Sequence, residues 1–264
     1  MADQTRALSV FVHGETKVGK STLTATAPYP RLMLDVEGGN RFLPITRKMW
    51  NPKTEDPPVA DGTWDTCVVD CRDYETLLKV YQWLQIGRHQ FKSLIIDSLS
   101  ELQTKCMESL VGRAQMKTQD WGDLGRTFTG MMRDLRDLTT HETNPLEAVV
   151  LTAMTREKDG KMAPYLQGQS GTVGPYLFDV VGYLAVEEYP NEDPTQPPYR
   201  YRRMYIDGHP RYVTGQRVAG KLGSIIEQGD LSVEMMLEKI FGPRPEVVPP
   251  QAAATADATT TQEG

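Results

Sequence analysis

Short apolar runs alternate with segments of helical spacing along this chain. The first run, 8–12, precedes a glycine-rich loop and a helix-compatible stretch, 21–27, stopped by Pro28. The apolar run within 31–39 predicts a buried strand ended by Gly38-Gly39, and 66–69 predicts another. Leu77, Leu78, Tyr81 and Leu84 repeat at helical spacing over 74–84. Leu94-Ile95-Ile96 leads into Asp97 as a buried strand would. Helical patterns follow at 99–112 and 122–142, then a strand at 148–152. The Pro- and Asp-rich segment 51–64 reads as a loop, and the polar, glycine-containing segment 155–174 as a longer one. Strands are expected at 183–189 and 199–206, a further one between His209 and Arg217, and a last helix at 233–240. Strands alternating with helices imply an α/β fold, a mostly parallel central sheet with helices on both faces. Ligands in such sheets bind beyond the C-terminal strand ends.

Composition narrows the class. No run of 18 apolar residues exists, so no membrane span is expected. The N-terminus, Met1 to Arg6, lacks the apolar centre of a signal peptide, and a cytoplasmic protein is expected. Cys67, Cys71 and Cys106 have no histidine cluster beside them and read as reduced thiols rather than a metal site. The net charge is −6, yet residues 227–264 hold seven acids against two bases, leaving −1 for 1–226. Acidity therefore does not exclude a nucleic-acid partner. Residues 243–264 are rich in Pro, Ala and Thr and are expected to be disordered, following a single domain over 1–242.

The chemistry begins at Gly14-Glu15-Thr16-Lys17-Val18-Gly19-Lys20-Ser21-Thr22, which matches G-x-x-x-x-G-K-[ST] between a strand and a helix. Gly14 and Gly19 permit backbone angles that side chains block, so the loop can turn its N–H groups toward phosphate oxygens. Lys20 can reach the β- and γ-phosphates, and Ser21 can offer its hydroxyl to Mg²⁺. Asp97, at a strand end, is the second candidate for the metal; alone, it would read as a helix cap or turn former. Ser98 reads as the cap of the next helix. Glu37, just past the second strand, is the candidate general base, with Asp35 on the same strand face as the alternative.

Taken in order, Gly14–Thr22, Asp35-Val36-Glu37 and Asp97-Ser98 resemble the core of RecA-like ATPases. They are most similar to the phage-encoded, core-only proteins grouped with single-strand annealing recombinases. Trp121-Gly122 and Phe178-Asp179-Val180-Val181-Gly182-Tyr183 carry the resemblance further, over roughly residues 7–220. It implies an Mg²⁺-dependent ATPase that binds single-stranded DNA as a homo-oligomer, ring or filament, in phage recombination or annealing. A single-strand-binding protein is an implied further partner, and host cytoplasm the implied location. It also implies that the N-terminal polymerisation segment of full recombinases is missing here. Met154 follows the strand where relatives place a glutamine that senses the γ-phosphate, and Thr152 is the substitute. Relatives carry Lys-x-Arg where this chain has Gly215-Gln216-Arg217, so Arg217 alone is the implied trans-acting catalytic residue.

In that fold the loops 112–125 and 155–174 would face DNA. Arg156, Lys158, Lys161 and Tyr165 suit a single-strand groove, where cations meet phosphates and bases stack. Glu157 and Asp159 leave 156–161 at only +1, so a solvated mixed-charge loop is the plain alternative. The most basic stretch, 200–221, has six bases and one acid. Two other functions stay open: a nucleotide-switched loader working through a protein partner, and a P-loop kinase with 200–203 as its lid.

Overall fold

A computed structural model describes residues 5–218 and 220–244. In chain order the strands are β1 (Leu8–Gly14), β2 (Arg31–Asp35), β3 (Arg47–Met49), β4 (Thr66–Asp70), β5 (Ser93–Asp97) and β6 (Ala148–Ala153). They continue with β7 (Thr155–Lys158), β8 (Lys161–Pro164), β9 (Val180–Tyr189), β10 (Tyr199–Tyr205), β11 (Gly215–Gln216) and β12 (Ile225–Glu227). The α-helices are α1 (Lys20–Thr24), α2 (Tyr74–Gln85), α3 (Leu99–Val111), α4 (Thr118–Asp137), α5 (Ser170–Val173) and α6 (Val233–Phe241). The main sheet runs β12-β10-β9-β1-β6-β5-β2-β4-β3, with β11 also on β9. From β9 to β3 neighbouring strands are parallel, whereas β10 and β11 pair antiparallel with β9. The expected fold class, a mostly parallel sheet with helices on both faces, is what forms.

Each face has its own core. Leu23 of α1 and Val233, Met236, Leu237 and Ile240 of α6 pack with Val10, Val12, Met33 and Ile95 on one side. On the other, α2, α3 and α4 bring Leu77, Leu102, Cys106, Phe128 and Leu135 against Phe11, Leu34, Leu94 and Leu151. β5 is buried along its whole length, as a central parallel strand covered on both sides must be. The register of β9 on β1 is fixed at its start: Asp179 accepts from the N–H and hydroxyl of Ser9, at 2.9 and 2.6 Å.

Several sequence expectations need correction. The segment 155–174 is not one long loop: β7 and β8 form a hairpin whose two-residue turn, Asp159-Gly160, has positive φ at both positions. That is the Asp-Gly signature of a type I′ turn. Helix α4 starts at Thr118, four residues earlier than expected, because Asp120 reaches back to the Lys117 N–H at 2.7 Å. Between His209 and Arg217 only Gly215–Gln216 is a strand. The exposed β3 carried no apolar signal and was not anticipated. Of the tail expected from 243, residues 245–264 lie outside the described residues. Arg244 is anchored, donating to both carboxylate oxygens of Glu147 at 2.8 and 2.7 Å. The three cysteines are buried and free, and burial raises their thiols to about 12, 12 and 11 for Cys67, Cys71 and Cys106. Among the described residues, no helix is long and apolar enough to cross a membrane.

Candidate active site

Four strand ends meet at one edge of the sheet. β1 runs into the loop 15–19, β2 into Glu37, β5 into Asp97 and β6 into Met154. A cavity of about 710 Å³ lies there, lined by loop residues 14–17 and 19–22, by Glu37 and Asp97, and by Phe42, Leu43, Met154, Thr155 and Met162.

The two loop glycines serve different needs. Gly19 has φ +108, a backbone that side chains avoid. Gly14 needs space instead, since a Cβ there would come within 2.5 Å of the Leu184 carbonyl oxygen on β9. Lys20 folds over the loop and donates to the carbonyls of Gly14 and Glu15, at 2.9 and 2.7 Å. Burial lowers its pKa, while Asp97, Glu37 and Glu15 oppose that shift.

Ser21 and Asp97 meet directly: the serine hydroxyl donates to Asp97 Oδ2 at 2.5 Å. The other oxygen, Oδ1, accepts from the buried Thr152 hydroxyl, also at 2.5 Å. Thr152 therefore orients Asp97. Ser98 stands at the start of α3 but makes no capping hydrogen bond; its hydroxyl donates to the carboxylate of Glu37. Glu37 is exposed by surface area, yet its carboxylate lines the cavity. Desolvation there raises its pKa, against the lowering effect of Ser98. Asp35, the alternative base, is buried and engaged: its oxygens accept from the N–H groups of Gly38, Gly39 and Asn40, holding the turn that presents Glu37.

A family model described as an AAA domain matches residues 6–218. The chain belongs to that family. It is an AAA-type P-loop ATPase, and the family implies nucleotide use and, usually, Mg²⁺. Solved structures that match include the flagellar accessory protein FlaH from Methanocaldococcus jannaschii. That protein is 11% identical over 83% of this chain and 84% of its own, with a TM-score of 0.38. No curated protein matches. The residues of this AAA domain fit Mg²⁺ and a nucleotide. A hydroxyl and a carboxylate oxygen 2.5 Å apart are hard donors of the kind Mg²⁺ takes, beside a phosphate loop with an inward lysine.

The other anticipated residues lie elsewhere. Arg156 is turned into the protein, donating to the Leu166 carbonyl at 3.0 Å and covering the Tyr165 ring, 5.2 Å from its centroid. Lys158 and Lys161 are exposed and line a second cavity, about 410 Å³, with Arg217 and Tyr176. Arg217 sits beside Asp179, at the end of the sheet away from the phosphate loop, and donates to the Tyr176 carbonyl. Because Gly14 pairs with Leu184, five residues along β9 from Asp179, the separation is roughly 16 Å.

Sequence reasoning missed His13, Ser98 as a partner of Glu37, and Arg202. His13 is fully buried between the phosphate loop and the hairpin. Its Nε2 lies 2.8 Å from the Val213 carbonyl and its Nδ1 3.2 Å from the Thr155 hydroxyl. Burial lowers its pKa to about 4. Its position one residue before Gly14 was the only available signal. Arg202 stood between Tyr199, Arg200, Tyr201, Arg203 and Tyr205, inside the stretch 200–203 named only as a kinase lid, with nothing to single it out.

Proposed function

We propose that this chain is a RecA-like, Mg²⁺-dependent ATPase of phage DNA recombination or single-strand annealing, binding single-stranded DNA as an oligomer. The observation that carries this reading is the β7–β8 hairpin. Thr155 and Met162 line the nucleotide cavity, whereas Lys158 and Lys161 line the second cavity with Arg217 and Tyr176. One short element thus borders both, and cations beside an exposed aromatic suit a single-strand backbone and its bases.

Hydrolysis follows from the cavity. Bound Mg²⁺ would neutralise charge on the β- and γ-phosphates, with Ser21 and Asp97 as its protein ligands. Lys20 leaves the loop carbonyls for the phosphates. Glu37, with its raised pKa and its carboxylate held by Ser98, takes the proton of the attacking water. Thr152 keeps Asp97 in place.

A gel-shift with labelled single-stranded DNA, with and without ATP and Mg²⁺, tests the reading, together with hydrolysis rates. Nucleotide-dependent binding and a strong rise in hydrolysis are expected. Nucleotide binding with slow hydrolysis indifferent to DNA would replace this reading with a loader acting through a protein partner.

A further inference from the structure

His13 stands between the two cavities and lines neither. It is the residue before Gly14, it is fully buried, and it lies in β1 opposite Ala153 on one side and Tyr183 on the other. The Tyr183 ring meets its ring edge-on, with 5.2 Å between centroids. Nε2 is 2.8 Å from the Val213 carbonyl, and Nδ1 is 3.2 Å from the Thr155 hydroxyl. Thr155 lines the nucleotide cavity and Val213 the second one. The same two residues flank the β7–β8 hairpin. Thr155 begins β7, and the Val213 N–H donates to the Met162 carbonyl of β8 at 2.9 Å. One imidazole therefore clamps the hairpin to the root of the phosphate loop.

Chemistry fixes the direction of both bonds. A carbonyl only accepts, so Nε2 carries the hydrogen and donates to Val213. Burial keeps the ring neutral, so Nδ1 is an acceptor for Thr155. The Thr155 hydroxyl has one hydrogen and two acceptors in reach: His13 Nδ1, and the Ala163 carbonyl of β8 at 3.1 Å. Given to His13, that hydrogen ties the hairpin to the loop. Given to Ala163, it closes the hairpin on itself and leaves Nδ1 without a partner. Ala163 lines the second cavity, so a ligand there bears on one of the two acceptors. On the loop side, Lys20 holds the Gly14 carbonyl at 2.9 Å, one residue from His13, and a bound nucleotide draws that lysine to its phosphates.

We infer that His13 is a positioning residue that couples the two cavities, so that nucleotide in the first changes the affinity of the second for a single DNA strand. This rests on the single-strand reading of the second cavity. The coupling is reciprocal: the factor that nucleotide applies to strand affinity is the factor that the strand applies to nucleotide affinity.

The test is a binding cycle on the full chain. A labelled oligothymidylate and the non-hydrolysable β,γ-imido analogue of ATP with Mg²⁺ are each titrated with and without the other. In the wild type each should change the affinity of the other by one shared factor, about 5- to 150-fold. His13→Gln keeps a donor for Val213 and removes the acceptor for Thr155, whereas Thr155→Val removes the hydroxyl at nearly constant volume. Each should cut the factor to below about twofold, and the double variant should cut it no further, because both break the same bond. A purely structural His13 would lower Tm and leave the factor intact in these variants, and that result would overturn the proposal. So would a wild type in which both probes bind and neither affects the other. A wild type that binds the analogue but no oligonucleotide would remove the single-strand reading of the second cavity, and the coupling with it.

Discussion

The hydroxyl of Ser98 donates to the carboxylate of Glu37, so the residue after Asp97, the candidate metal ligand, holds the candidate base. β2 and β5 are neighbours, and Val36 N–H donates to the Asp97 carbonyl at 2.8 Å, which brings the two strand ends together. Glu37 must be ionised to accept a proton, so hydrolysis should decline as pH falls through a value above the ordinary 4.5. The Ser98 bond opposes that rise. Ser98→Ala should therefore move the acid limb of the rate profile to higher pH; an unmoved limb would separate Ser98 from the base.

Glu37→Gln should bind ATP and hydrolyse it at least ~100-fold more slowly, the usual scale for a lost general base. Its fold should not suffer. Because the folded-state pKa of Glu37 is raised, its contribution to unliganded stability is lost as pH rises through that value. At pH 7 the glutamine variant should melt no lower than the wild type. Wild-type turnover would remove Glu37 from the base role.

His13 should govern acid stability. Its pKa is depressed to about 4, so the unfolded chain takes up a proton near 6.5 that the folded chain refuses. The stability this neutral imidazole contributes is complete above about 6.5 and is lost as pH falls toward 4. A difference of that size corresponds to about 3 kcal/mol. Denaturant unfolding of His13→Asn across this window should show a flatter pH dependence than the wild type, on a lower baseline; parallel curves would count against it.

The hairpin cations should divide into two kinds. Lys158→Ala and Lys161→Ala should each flatten the log–log salt dependence of single-strand binding by about 0.7. Arg156→Ala should act on stability instead, lowering the unfolding free energy by about 1 kcal/mol through loss of a hydrogen bond and a cation–π contact. Salt slopes that respond to Arg156 and ignore both lysines would reverse this division.

Arg217 is the candidate trans-acting group. Arg217→Ala and Lys20→Ala should each fail to hydrolyse ATP alone. Mixed in one oligomer, interfaces joining an intact loop to an intact Arg217 should recover activity, since such an arginine contributes roughly 10³–10⁵ in rate in other enzymes. Full activity of Arg217→Ala alone would end that role.

The apolar runs before Gly14, Glu37 and Asp97 already determined which strands are buried and where they stop. Burial on both sheet faces needs continuous apolar sequence, and phosphate-loop geometry needs glycine at fixed spacing, so both are written locally. Tertiary structure decided what depends on two distant segments meeting. The Asp159-Gly160 turn was present in the sequence, but its flanking strands are polar and gave no alternation to support it. Ser98 turned from an expected cap into a partner of Glu37 because β2 and β5 lie side by side. Arg202 reaches Val18 across 184 positions of sequence, through the antiparallel return of β10 beside β9. No local pattern of charge or hydrophobicity records such a meeting, because hydrogen bonds between remote residues are set by strand order and register.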